Sequence, residues 1–381
     1  MKITQLALES ITQEALAVEL QVIINHKLGS ADDGVNRKWI KMLHKVLTRG
    51  TVVDKNEERT GTGTVSLFGE IVEVFDVMDF PLIGYKHVSA KQSFGEILAM
   101  MNGATNTKVF KAWKAGNIWD NWANESGDLG PIYGEQWRRW VTPNGEVIDQ
   151  LVDVLGDLKK NPHSRRHVVS AWNPSVLSLP GVSAQDNVAA GHMALSPCHY
   201  AFQFGVVNIG VEGGMRHQER LFSLYKKAQM QENAEEYDAL TQKITQLSRS
   251  SPTKRLDMTL EIRSNDLFLG APYNIAGYAL MIKLFAEYLG MVPGKLFYRV
   301  ADAHIYLNHL DAIADVVRNY HAKVKLREHQ LGQGQGYVGT GLRPPLVITP
   351  SMHAYPWEIN IDNIYVLDYE HLGVVKAPIA V

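Results

Sequence analysis

The sole cysteine among 381 residues, Cys198, lies in the segment Leu195-Ser196-Pro197-Cys198-His199. One thiol cannot close an intramolecular disulfide, and no Cys-x-x-Cys spacing is present to suggest a thiolate metal site. A lone cysteine is ordinarily an inert core residue. Here its neighbours point elsewhere. A proline fixes the backbone before it, a histidine follows, and arginines recur in Ser164-Arg165-Arg166 and Arg263-Ser264-Asn265-Asp266. Positive charge near a thiol favours the thiolate, the nucleophilic form. These residue types together suggest covalent catalysis by sulfur.

Such a site needs a scaffold. With 45% hydrophobic residues, a chain of this length can bury a large core. The formal net charge of −2 gives no bias toward polyanions over the whole surface, so phosphate recognition must be local and stable nucleic-acid binding is not expected. The opening Met1-Lys2-Ile3-Thr4-Gln5 lacks the basic-then-apolar pattern of a secretory signal, and no apolar run approaches the roughly 18 residues of a membrane span. A single unpaired thiol suits a reducing compartment. A cytoplasmic protein without membrane association is expected.

Periodicity predicts the elements that would hold the site. Residues 1–35 read as a helical lead, within an N-terminal extension of residues 1–40. A helix follows over residues 38–48, where Ile40, Met42, Leu43, Val46 and Leu47 recur at helical spacing. The alternation from Val65 to Phe75 predicts a half-buried strand. Helices are expected over 93–101, 150–160 (stopped by Asn161-Pro162) and 278–289, and strands over 167–172, 200–207 and 258–263. The Gln-, Glu-, Lys- and Arg-rich stretch 208–255 reads as an inserted helical pair with an exit loop over 248–254, and the glycine-rich 332–341 as a loop. Residues 41–381 read as one catalytic domain of α+β class, a mixed sheet packed with helices.

Collinear segments resemble the thymidylate synthase family. They include Glu58-Arg59-Thr60-Gly61-Thr62-Gly63-Thr64, Asn117-Ile118-Trp119-Asp120-Asn121-Trp122 and Gly127-Asp128-Leu129-Gly130-Pro131-Ile132-Tyr133-Gly134. To these add Ser164-Arg165-Arg166, the Pro197-Cys198-His199 and Arg263–Asn274 blocks, Asp302-Ala303-His304-Ile305-Tyr306, and the ending Ala377-Pro378-Ile379-Ala380-Val381. The resemblance implies a homodimer that transfers a one-carbon unit from 5,10-methylenetetrahydrofolate to C5 of dUMP, without a metal. In that family a thiolate adds to C6 of the pyrimidine and makes C5 nucleophilic, the role that falls to Cys198. Phosphate binding would fall to Arg59, Arg263 and Ser264, with Arg165 and Arg166 supplied across a dimer interface; arginine's planar fork suits phosphate oxygens. Asn274 would read uracil, accepting from N3–H and donating to O4. His304 and Tyr306 would meet the ribose. Glu96 would arrange water and proton transfers, with Tyr133, His199 and Asp266 in its polar network, and Asp266 would contact the pterin. Ile118, Trp119, Trp122, Leu195, Gly270, Tyr273 and Ala380 would line the folate face, and Lys86 would meet the folate's glutamyl tail.

The chain departs from the family pattern on the folate side. Ala99 stands where the synthases usually carry tryptophan, Tyr273 where they carry phenylalanine, and Gly84-Tyr85-Lys86 and Glu370–Val375 are altered. A missing indole leaves room for water unless a neighbour fills the gap. Water rather than hydride at the exocyclic methylene would yield 5-hydroxymethyl-dUMP and tetrahydrofolate, the expectation these departures favour, as in a virus-type hydroxymethyltransferase making precursors for modified DNA. The alternatives are a thymidylate synthase yielding dTMP and dihydrofolate, and a non-catalytic nucleotide- or RNA-binding protein on the same fold.

Overall fold

The alternating segment after Gly63 forms, in the computed structural model, the second strand of a six-stranded mixed sheet. The structure describes residues 12–26, 34–57, 60–229, 252–331, 342, 345–349 and 355–379. In chain order the strands are β1 Thr51–Val53, β2 Thr64–Asp76, β3 Trp140–Val141, β4 Val147–Ile148, β5 Val168–Ser170, β6 His199–Asn208, β7 Lys254–Asp266, β8 Val292–Tyr306, β9 Leu346–Ile348 and β10 Tyr365–Leu367. The helices are α1 Gln13–Asn25, α2 Gly34–Arg49, α3 Ala90–Met101, α4 Thr107–Ala112, α5 Tyr133–Arg138, α6 Gln150–Lys160, α7 Ala184–Ala189, α8 Gly210–Gln229, α9 Gly270–Tyr288 and α10 Leu310–Leu331. This is the expected α+β fold, consistent with that of the thymidylate synthases.

The main sheet runs β1-β2-β8-β7-β6-β5, and within it only β7 and β8 are parallel. A parallel pair needs a crossover, and α9 supplies it. Its residues are apolar nearly all round, from Ala271 to Ala286, which marks a helix enclosed on every side. It packs between the sheet and α3. Ser89 caps α3, its hydroxyl accepting from Gln92 N–H at 3.3 Å. A Cβ at Gly95 would overlap the carbonyl oxygen of Trp113, so glycine there lets the loop after α4 lie directly on the helix that carries Glu96.

One face of the sheet is buried under the helices. On β2, Val65, Leu67, Ile71 and Phe75 are buried, whereas Phe68 is 76% exposed and Val72 58%. A bulge between Phe68 and Ile71 contains Gly69 at φ +79°, a conformation glycine adopts without strain. The register slips again between His199 and Ala201, immediately after Cys198.

Helix α6 occupies its expected span, while α2 and α9 begin earlier than their periodicity predicts. Leu16, Leu20 and Ile23 of α1 join the same core as α2. Of the expected helical pair, α8 is seen and residues 230–251 lie outside the described residues; Lys254, placed in the exit loop, is instead the first residue of β7. The 332–341 loop also lies outside them.

The C-terminal segment returns across the loop before α3. Tyr369 Oη accepts from Val88 N–H and donates to Ile83 O, both at 2.8 Å. Leu372 N–H donates to Gly84 O at 2.8 Å and His87 N–H to Gly373 O at 2.7 Å. Further on, His309 Nε2 lies 2.8 Å from Pro378 O.

Candidate active site

A cavity of about 700 Å³ opens where the C-terminal ends of β7 and β8 meet α3, α9 and the chain's tail. Cys198 lies in its wall, at the turn into β6. The Cys198 N–H donates to Tyr133 Oη at 2.8 Å. Arg263, across on β7, holds the same turn: Nε donates to Pro197 O at 2.9 Å and Nη2 to Ser196 O at 2.7 Å, while Nη2 also lies 3.8 Å from Cys198 Sγ. The thiol therefore faces a guanidinium fixed by the backbone of its own loop.

Glu96 projects from α3 into the cavity, and Trp119 Nε1–H donates to its Oε1 at 3.0 Å. Burial pushes the Glu96 carboxyl up to about 7, against the opposing hydrogen bond from Trp119. His199 is stacked on Tyr133, with centroids 4.2 Å apart, and its Nδ1 lies 2.6 Å from Tyr278 Oη. Burial lowers His199 to about 3, so its imidazole is neutral near pH 7 and acts through hydrogen bonds. Burial also raises the Tyr133 phenol well above its usual range.

Asn274, in the first turns of α9, has its carboxamide oriented from behind. Tyr298 Oη donates to Asn265 Oδ1, and Asn265 Nδ2 donates to Asn274 Oδ1 at 3.0 Å. With Oδ1 accepting, the group must present Nδ2 as its donor, and one oxygen lone pair remains. His304 is set in a comparable way. Its Nδ1 lies 3.1 Å from Asp302 Oδ1, and Ser66 Oγ donates to Asp302 Oδ2 at 3.0 Å. Burial would raise the Asp302 carboxyl, but the bonds from His304 and Ser66 outweigh it and hold the group below the usual range. Asp302 is thus a carboxylate, His304 Nδ1–H is its donor, and Nε2 is left for a ligand.

Asp266 ends β7. Its Oδ1 accepts from the amides of Phe268 and Leu269 at 2.8 and 3.2 Å and lies 3.6 Å from His309 Nδ1. Burial raises this carboxyl, yet His309, His304 and the Phe268 amide together bring it below the ordinary value.

Of the residues expected at the site, Glu96, Ile118, Trp119, Trp122, Tyr133, Leu195, Cys198, His199, Arg263, Ser264, Asp266, Gly270, Tyr273, Asn274, His304 and Tyr306 line this cavity. Arg59 and Ala380 lie outside the described residues. Arg165 and Arg166 are exposed and do not line it. Lys86 is likewise absent from the wall. It is 2% exposed, with Nζ 4.3 Å from the Phe268 ring centroid and 5.9 Å from that of Trp39. Burial lowers its pKa to about 8, countered by Asp266. This ammonium meets aromatic faces rather than open solvent, unlike the tail-binding lysine the sequence suggested. Ala99 is fully buried and lines neither this cavity nor the small one beside Glu96, so the room expected from its missing indole is taken up by packing. Asn265, Asp302 and Ser66 had no assigned role in the sequence reading; alternation places Ser66 on β2, but Asn265 and Asp302 lie beyond the expected strands, and nothing local hints at the side-chain relays they form.

Residues 37–381 match the protein-family profile of thymidylate synthase. The chain belongs to the thymidylate synthase family. Membership makes it a transferase of the thymidylate synthase type, in a family that moves a one-carbon unit from methylenetetrahydrofolate to dUMP. Among the described residues, no group of three or more His, Cys, Asp or Glu side chains is placed to hold a metal ion, and no helix is long and apolar enough to cross a membrane.

Proposed function

We propose that Cys198 adds to C6 of dUMP so that C5 captures the one-carbon unit, and that the product is dTMP. The observation that carries this reading is the sole thiol opening onto a large cavity 3.8 Å from Arg263, with Glu96 and Asn274 in the same wall. The guanidinium stabilises the sulfur's negative charge, and its Nη1 donors remain for the nucleotide phosphate alongside Ser264. Asn274 donates to O4 and accepts from N3–H, and His304 Nε2 accepts from a ribose hydroxyl. Glu96, half protonated near pH 7, can pass protons through water at the base O4.

The other half of the cavity fits a folate. Ile118, Trp119, Trp122 and Leu195 offer flat apolar surface to a pterin, and the Asp266 carboxylate offers an acceptor for its N–H groups. The folate supplies the one-carbon unit and, on the methyl branch, the hydride. Trp119 is held by Glu96, and Val375, Lys376, Ala377 and Ile379 of the tail close the wall. Walls of this kind exclude water and favour hydride arrival. Hydroxymethylation is the second reading. It is favoured by a separate cavity of about 10 Å³, about the size of one water, bordered by Glu96, His199, Tyr273 and Tyr278.

Incubation with 5-fluoro-dUMP and methylenetetrahydrofolate should yield a covalent adduct on Cys198; its absence sinks the mechanism. With dUMP as substrate, dihydrofolate formed in step with dTMP supports the methyl branch. A product heavier by one oxygen, without dihydrofolate, establishes the other.

The assembly we infer is a homodimer through the open sheet face, where Phe68, Val72 and Val168 leave apolar surface uncovered. Arg165 and Arg166 would then serve the partner's site, within a catalytic unit spanning residues 41–381. Mixed Arg166→Ala and Cys198→Ala chains should regain about a quarter of native activity, because heterodimers keep one intact site. Confirmed heterodimers without rescue would show that each chain's site is self-contained.

A further inference from the structure

The loop that carries Arg165 and Arg166 from α6 into β5 is held from beneath by a chain of polar contacts. Asn161 Nδ2 donates to Asp157 Oδ1 at 2.9 Å, and Asn161 N–H to Asp157 O at 2.7 Å. Ser164 N–H then donates to Asn161 O at 2.9 Å, and Arg166 N–H to Ser164 Oγ at 3.2 Å. His167 follows the two exposed arginines and is fully buried. Its Nε2 lies 3.1 Å from Asp157 Oδ2, a polar contact rather than an aligned hydrogen bond. Both arginine carbonyls are taken as well: Gln203 Nε2 donates to Arg165 O at 3.1 Å and Val168 N–H to Arg166 O at 2.7 Å. The Asn161 amide first, then the Ser164 hydroxyl and the His167 ring, hold the Asp157 carboxyl below its ordinary value, so it is a carboxylate at neutral pH.

We propose that Asp157 is a positioning residue: through Asn161, Ser164 and His167 it fixes the loop that delivers Arg165 and Arg166 to the dUMP phosphate in the partner subunit's site. This rests on the shared-site homodimer proposed above. Two exposed arginines lose side-chain freedom on meeting a phosphate, and the loss is larger if the backbone beneath them must be ordered too. Here the backbone is already fixed at Arg165 O and at both the N–H and the carbonyl of Arg166, so only the side chains remain to be ordered. Bidentate binding of phosphate oxygens also needs the guanidinium planes well placed, which an anchored loop provides. None of the four clamp residues lines the cavity of its own chain. The effect of the clamp therefore falls on the neighbouring subunit's nucleotide.

The test uses the full-length chain, Asp157→Ala and folate-dependent tritium release from C5-labelled dUMP. The variant should raise KM for dUMP by about tenfold and leave kcat and KM for methylenetetrahydrofolate within about twofold. Competitive inhibition by 2′-deoxyuridine, which has no phosphate, should stay within about twofold of native, whereas a general loosening of the fold would weaken both ligands. Mixing with Cys198→Ala gives a heterodimer whose one working site takes its sulfur from the Asp157→Ala chain and its arginines from the other. Its KM for dUMP should return to the native value. With Asp157→Ala moved onto the Cys198→Ala chain and Arg166→Ala on the other, KM should stay raised. An unchanged dUMP KM in Asp157→Ala overturns the proposal, as does equal weakening of deoxyuridine. So does a raised KM that persists in the first heterodimer, or a native one in the second. If the alanine variant does not fold, Ser164→Ala, which removes the acceptor for the Arg166 amide, decides on the same readouts with a rise of about threefold. A native chain that releases no tritium, or an Arg166→Ala and Cys198→Ala pair that regains no activity, sinks the reading beneath this link and the link with it. Rescue in that pair alongside a native dUMP KM in Asp157→Ala sinks the link alone.

Discussion

The nucleotide and folate halves proposed for the cavity are built differently. The nucleotide half comes from the sheet and its edges: Cys198 at the start of β6, Arg263 and Asn265 on β7, Asp302 and His304 on β8, and Asn274 at the head of a buried helix. Asn274 and His304 are oriented by side chains behind them, and Arg263 by backbone carbonyls. The folate half comes from the turn around Ile118–Trp122, the loop at Leu195 and the tail at Val375–Ile379, with Asp266, Gly270 and Tyr273 anchored in regular elements. Covalent chemistry needs atoms held to a fraction of an ångström, which strands and helices provide. A co-substrate that must enter, react and leave needs walls that can part. The seam is Glu96, on a helix but bonded to Trp119 of the turn.

The comparison can be broken at three points. Cys198→Ala should have the largest effect, a loss in turnover of about ten-thousandfold or more, with dUMP affinity kept because the rest of the nucleotide half is undisturbed. Calorimetric binding alongside tritium release checks this; lost affinity would mean that the sulfur also builds the pocket. Glu96→Gln should cost about a hundredfold in turnover and act on both halves. It also carries a stability signature. The folded carboxyl stands at about 7 against a usual value of 4.5, so its contribution is intact below 4.5 and is lost as pH rises through 7. The glutamine variant should therefore match the native chain near pH 4 and exceed its stability by as much as about 3 kcal/mol at pH 8, measured by urea unfolding. Equal stability at pH 8 would mean that the carboxylate is better solvated than its surroundings imply. Asn274→Asp should lower the preference for dUMP over dCMP by about a hundredfold, chiefly through weaker uracil binding. Unchanged selectivity in competition assays would remove Asn274 as the reader.

The nucleotide half was also the more legible in sequence. Strand β6 and the Pro197-Cys198-His199 turn follow from local pattern, and α6 from its apolar spacing and the Asn161-Pro162 stop. Strand β8 escaped because Pro293, Gly294, Arg299 and Asp302 interrupt its alternation, and its stability comes from pairing with both β2 and β7. The first turns of α9 escaped because Gly270-Ala271-Pro272-Tyr273-Asn274 is a poor helical start on propensity alone; tertiary burial overrides it. Lys86 and Ala99 misled for a shared reason. Whether a long cation meets solvent, or a small residue leaves a hole, depends on neighbours distant in sequence, such as Trp39 and Phe268 beneath the Lys86 amine.

Tyr298 orients Asn265, and Asn265 orients Asn274, so on the proposed reading base discrimination is wired in part through Tyr298, which lies behind the cavity wall. An ancestor drifting toward another pyrimidine would need paired changes, one at the surface of the pocket and one in the layer beneath. Between them lies a form that handles both bases poorly, an evolutionary valley that would keep descendants of this chain on their present substrate even while their folate walls diverge.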